Sequence, residues 1–190
     1  STVYLKHLYD YITEKDPYHV VLMASRGAGD YIHCCDWVEA HPYINPMIRD
    51  GKRIYDRPIN TLGGYLETML KQNRPDKCIG FMPTCFGSSA SYSDYPTFDE
   101  MICHCWAAML PGGKTLWSYA YHDLNDRACL YEGVRYLFSS FEALEDLVLL
   151  AKRTELVRTP KAHAVHYALN GEEMFVLVNL VDEPQSVTLD

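Results

Sequence analysis

No stretch of this sequence approaches the roughly 20 apolar residues that a helix needs to cross a bilayer. The N-terminus, STVYLKHLYDY, also lacks the charged-then-apolar pattern of an export signal. No membrane partner is therefore expected. Basic residues are scarce and never run longer than two: 17 Lys+Arg stand against 25 Asp+Glu, for a net charge of −8. Such a surface does not gather phosphates, so no nucleic-acid partner is expected either. There is no C-x-x-C pair and no N-x-[ST] sequon. The seven cysteines are odd in number; Cys34 and Cys35 are adjacent, Cys103 and Cys105 are two apart, and Cys78, Cys85 and Cys129 stand alone. That spacing fits reduced, buried thiols better than a disulfide framework or a structural zinc site. No motif demands a cofactor or a metal.

What is present is core material: 48% of the 190 residues are apolar and 13% are aromatic, which excludes disorder and fibre. Leu5, Leu8 and Ile12 at helical spacing predict a helix over 3–15, stopped at Asp16-Pro17. Val20–Ala24 and Asp36–Ala40 read as strands. A helix from Leu62, ended near Arg74-Pro75, precedes a third buried strand at Cys78–Met82. Thr97 with Glu100 three residues on forms a capping signature for a helix through Met109. Pro111-Gly112-Gly113 breaks it before a strand at Thr115–Tyr119, and the periodicity beyond predicts one long helix over 131–152. Ala162–Leu169 and Met174–Val178 flank Asn170-Gly171, a hairpin signal, and Val187-Thr188-Leu189 reads as the start of a third antiparallel strand.

Repeated strand–helix units imply parallel strands with right-handed crossovers, in an open sheet or part of a (β/α) barrel, with functional side chains at the strand C-termini. An open sheet that binds a phosphorylated small molecule would want a glycine-rich loop after its first strand. Arg26-Gly27-Ala28-Gly29-Asp30 offers G-x-G, without the third glycine or the P-loop lysine.

DWVEAHPY at a strand end resembles the sixth strand of (β/α)8-barrel glycoside hydrolases. YPTFDEMICHCWAAMLPGGKTLWSYAYHD resembles their seventh helix and eighth strand, and VHYALNGEEMFVLVNLVDEPQSVTL resembles the β-sandwich that often follows such barrels. The resemblance implies an α/β fold of TIM-barrel type: residues 1–158 as a half barrel carrying strands five to eight, and residues 159–190 as the start of a C-terminal β-sandwich. It implies O-glycosidic bond hydrolysis on a carbohydrate by a fragment of a longer enzyme. The alternative is a non-catalytic carbohydrate-binding or interaction module on the same fold. The usual acid/base glutamate would lie upstream of residue 1, and Phe81-Met82-Pro83-Thr84-Cys85 has no carboxylate where the resemblance would place the nucleophile. A half barrel leaves two strand edges open, so self-association or a missing N-terminal half barrel is expected. As to compartment, the resemblance points outward, to secretion or the periplasm, whereas the reduced-looking cysteines point to the cytoplasm.

Strand alternation places Glu39 and His41 on the face of Trp37. Against an apolar wall Glu39 gains a raised pKa suited to acid/base catalysis; the structural alternative is an ion pair with Arg26. His41 and Tyr43 resemble the sugar-contacting residues of this loop. Their structural alternative is a histidine satisfied by a backbone carbonyl and a tyrosine packed under a loop. Arg26, Thr84, Tyr121, His122 and Asp123 lie at the other strand ends and join the substrate-binding candidates. Asp123 with Asn125 and Asp126 reads as a solvated polar loop before a cation site. Trp117 and Tyr119 read as core. Cys85 reads as inert packing, although a nearby histidine would make it a thiol nucleophile. Cys103-His104-Cys105 cannot converge on one ion, because successive helical residues point about 100° apart.

Overall fold

The computed structural model describes residues 1–25, 29–72, 76–87, 94–118 and 128–189. Helix α1, Thr2–Lys15, leads to strand β1, Leu22–Ala24. A short 3₁₀ helix, Gly29–Cys34, then precedes β2, Trp37–Ala40. A hairpin of β3, Pro46–Arg49, and β4, Lys52–Tyr55, follows, and then α2, Leu62–Gln72, and β5, Cys78–Phe81. Helix α3, Phe98–Met109, leads to β6, Thr115–Leu116. The C-terminal part holds α4, Ala128–Ala143, α5, Glu145–Leu150, β7, Lys152–Arg158, β8, Ala162–Leu169, and β9, Glu172–Asn179.

The fold is mixed α/β. Strands β1, β2, β5 and β6 form one parallel sheet, adjacent in the order in which they occur along the chain. When each new parallel strand is added on the same side, right-handed crossovers all pass over the same face. The period of two then divides the side chains. Val38, Ile79 and Phe81 turn to that face and pack with Leu66 and Met69 of α2, Met101 and Cys105 of α3, and Val134 of α4. Trp37 and Glu39 turn to the other.

Helix α3 is the centre of the molecule because both of its sides are used. Its start is fixed by the expected capping box: Thr97 Oγ1 accepts from the Glu100 N–H at 3.2 Å, and Glu100 Oε2 accepts from the Thr97 N–H at 2.7 Å. Arg53 of β4 donates to the same Glu100 at 2.8 and 2.6 Å, as well as to Asp94 and to the Tyr95 carbonyl, which ties the β3–β4 hairpin to the helix start. On its far side, Trp106 and Leu110 meet Val165, Tyr167 and Val178 of the antiparallel β7–β8–β9 sheet.

Three sequence expectations are corrected. The long helix over 131–152 is two helices, broken at Leu144, whose φ of −105° and ψ of 6° leave the helical region. The residues from Lys152 onward are strand β7, paired antiparallel with β8. Val187-Thr188-Leu189 is not a strand, and β7 is the third member of the sheet. The Asn170-Gly171 hairpin forms as expected, with φ of 53° and 89°. A second hairpin went unread in the sequence, although Asp50-Gly51 carries the same signal; its φ values are 53° and 73°.

Candidate functional site

The sheet face opposite the helices gathers polar atoms that the fold leaves unpaired. Glu39, third residue of β2, is fully buried, and neither carboxyl oxygen has a hydrogen-bond partner among the described residues. Trp37 Nε1 and Thr115 Oγ1 are likewise buried and without partners there. The register brings them together: Glu39 lies beside Gly80 of β5, and Gly80 lies beside Thr115 of β6. A Cβ on Gly80 would overlap Trp37 Nε1, Thr115 Oγ1 and Glu39 Oε2, so the absence of a side chain at this position lets all three reach one point.

Desolvation pushes the Glu39 carboxyl up to about 8, and the nearby Trp37 N–H offsets only part of that. At neutral pH Glu39 is therefore mostly the neutral acid, a group that can give a proton or donate a hydrogen bond. Trp117 follows on the same face as Thr115, its ring edge-on to Trp37 at 5.9 Å and 69°. It is 52% exposed, which corrects the expectation that it belongs to the core.

Just past β2, the Tyr43 hydroxyl lies 3.1 Å from His41 Nδ1 and 3.2 Å from Met82 Sδ, and its ring packs edge-on against Phe86. Ring nitrogen is a far better acceptor than thioether sulfur, so the hydroxyl donates to Nδ1 and the proton of the neutral imidazole sits on Nε2. Burial holds His41 below the ordinary histidine range, and its buried Nε2 has no partner among the described residues. The structure thus brings His41 and Tyr43 together, each contacting the other, with Tyr43 packed between Met82 and Phe86.

Thr84 takes a different position. It is fully buried, and its hydroxyl accepts from the Ile44 N–H at 2.9 Å. Its own N–H donates to His104 Nδ1 at 3.3 Å, while His104 Nε2 donates to the Pro42 carbonyl at 3.1 Å. His104, completely enclosed and pushed down to about 3 by desolvation, thus staples the loop after β2 to the loop after β5. Sequence reasoning missed this role; the only signal was a polar residue on the buried side of an amphipathic helix. Cys103 points elsewhere, toward the Asn179 carbonyl at 3.2 Å, so the Cys-His-Cys run shares no ligand point.

Cys85 is fully buried and burial pushes its thiol up to about 11, which removes the thiolate that nucleophilic chemistry requires. Arg26, Tyr121, His122 and Asp123 lie outside the described residues, as do Gly27, Ala28, Tyr119, Asn125 and Asp126. The chain matches no protein-family model, no curated protein and no solved structure.

Proposed function

We propose that the chain forms four consecutive strands of a (β/α)-barrel-type domain acting on a carbohydrate, with Glu39 as the proton donor to a glycosidic oxygen. The observation that carries this reading is Glu39 itself: a fully buried, unpartnered carboxyl on the non-helical face of a sequentially ordered parallel sheet. Trp37 and Trp117 stand beside it, and His41 and Tyr43 stand at the strand end. Flat apolar rings with mixed donors and acceptors are what a pyranose presents its faces and hydroxyls to.

In hydrolysis the Glu39 O–H transfers its proton to the leaving oxygen as the anomeric C–O bond breaks. The oxygen of water forms the new bond to the anomeric carbon and loses its proton to solvent, from which the Glu39 carboxylate regains its own. No second carboxyl is grouped with Glu39 on this face among the described residues. That observation favours, as a second reading, a module that binds carbohydrate without turning it over.

Assay against a panel of aryl glycosides separates the two. Under the catalytic reading Glu39→Gln lowers kcat by about 10² to 10⁴ with little change in sugar affinity. Equal turnover by Glu39→Gln contradicts the role given to Glu39. Saturable sugar binding with no hydrolysis by the wild type selects the binding module.

A further inference from the structure

We propose that the cavity at the start of α2 binds a phosphate group, carried by the free ion or by a small phosphate monoester. The site lies on the helical side of the parallel sheet, away from Glu39, and does not depend on the carbohydrate reading above.

The cavity measures about 380 Å³, and Asn60, Gly63, Gly64, Arg158 and His163 contribute to its lining. The 3₁₀ turn Ile59–Thr61 runs directly into α2, so the positive end of the helix dipole stands at this wall. Glycine at 63 and 64 keeps side chains off it. A Cβ on Gly64 would meet nothing within 4 Å, and one on Gly63 would stand 3.6 Å from Arg158 Nη2. Arg158 gives Nη1 to Glu67 of α2 and, at 3.4 Å, to Glu155 of β7, while its Nη2 has no partner among the described residues. Arg153 lies 3.3 Å from the same Glu155, so two arginines balance the two glutamates and an entering anion meets no excess of negative charge in this cluster.

His163 narrows the anion to phosphate. The residue is 3% exposed, and its Nε2 lies 3.2 Å from Glu155 Oε2. Against the effect of burial, Arg158 and His163 hold the Glu155 carboxyl below its ordinary range. Glu155 is therefore an acceptor only, and Nε2 is the donor. That leaves Nδ1 with a lone pair and no partner among the described residues. Burial holds His163 below the ordinary histidine range, with Arg158 and Arg153 adding to it and Glu155 opposing. A ligand that meets Nδ1 must bring a proton. A phosphate monoester does so, since its second proton leaves at about pH 6; sulfate and carboxylates are fully ionised there and have none to give. With one oxygen on Nδ1, the others accept from Arg158 Nη2 and the Asn60 amide.

The test is calorimetric titration at pH 6.5 and fixed ionic strength with inorganic phosphate, glycerol phosphate and sulfate. The better of the two phosphates is expected to bind about 10-fold or more tightly than sulfate. Tighter binding of glycerol phosphate assigns the cavity to a monoester, and tighter binding of inorganic phosphate assigns it to the free ion. Gly64→Asp puts a carboxylate into open space at a helix start, which the fold tolerates and circular dichroism verifies. It is expected to weaken phosphate by about 10-fold or more, and the uncharged Gly64→Asn by less than about 3-fold. His163→Gln is expected to bring phosphate and sulfate within about 3-fold of each other. Sulfate bound by the wild type as tightly as phosphate, phosphate binding unmoved by Gly64→Asp, or no binding of either phosphate overturns the proposal.

Discussion

Glu39 is the one buried acidic residue among those described, and its ionisation acts on stability as well as on chemistry. Its folded-state pKa of about 8 lies above the ordinary 4.5. The folded protein therefore holds this proton over a range where the unfolded chain has released it. Stability from this group is fully present below about 4.5 and declines as pH rises through about 8. Among the described residues its ionisable neighbours are Cys78, whose thiol is raised mainly by burial and further by Glu39, and His41, which burial holds below the ordinary histidine range. Glu39→Gln is expected to lose the decline, so that its melting temperature exceeds that of the wild type at pH 9 and the gap narrows at pH 6. A constant gap across that range contradicts the assignment. The face of Glu39 was legible in the sequence because a strand alternates with period two; its convergence with Gly80 and Thr115 was not, because that depends on register between strands far apart in the chain. Trp117 shows the same limit. Alternation gave its face, while its exposure depends on what lies over that face.

Among the elements, α3 carries the most connections, and two substitutions probe them separately. Thr97→Ala removes the capping box and is expected to lower unfolding free energy by about 1 kcal/mol without changing ligand affinity, measured by urea denaturation. His104→Leu leaves the Thr84 N–H and the Pro42 carbonyl buried and unpaired, an expected loss of about 2–5 kcal/mol. His104→Gln, which offers both a donor and an acceptor, is expected to recover part of that loss. If leucine and glutamine are equally destabilising, His104 acts by volume and not as a staple. The helix starts and the Asn170-Gly171 hairpin were readable because caps and turns are local chemistry. The break at Leu144 was not, since the apolar periodicity continues across it and β7 is selected by pairing with β8.

For the whole molecule, the open sheet sets the behaviour in solution. Strand β1 pairs only with β2 and β6 only with β5 among the described residues, and Val20 and Leu22 at the first edge are exposed. Helix α1 adds Tyr4, Leu8 and Tyr11, all exposed and spaced on one face. Edges of this kind recruit further strands, so the isolated chain is expected to associate, and Leu22→Lys to reduce that association in light scattering. A wild type that stays strictly monomeric at all concentrations counts against the half-barrel proposal. The sequential strand order follows from alternating strand and helix patterns, which the sequence shows; barrel closure depends on what meets the two edges, and these residues do not encode it. The most direct test of the account is a pH titration of the Glu39 side-chain carbon by ¹³C NMR, with Glu39→Gln identifying the signal. A midpoint near 8, displaced when methyl glucoside is added, is the predicted result. A midpoint in the ordinary range near 4.5, unmoved by the sugar, contradicts both the neutral carboxyl and the site built around it.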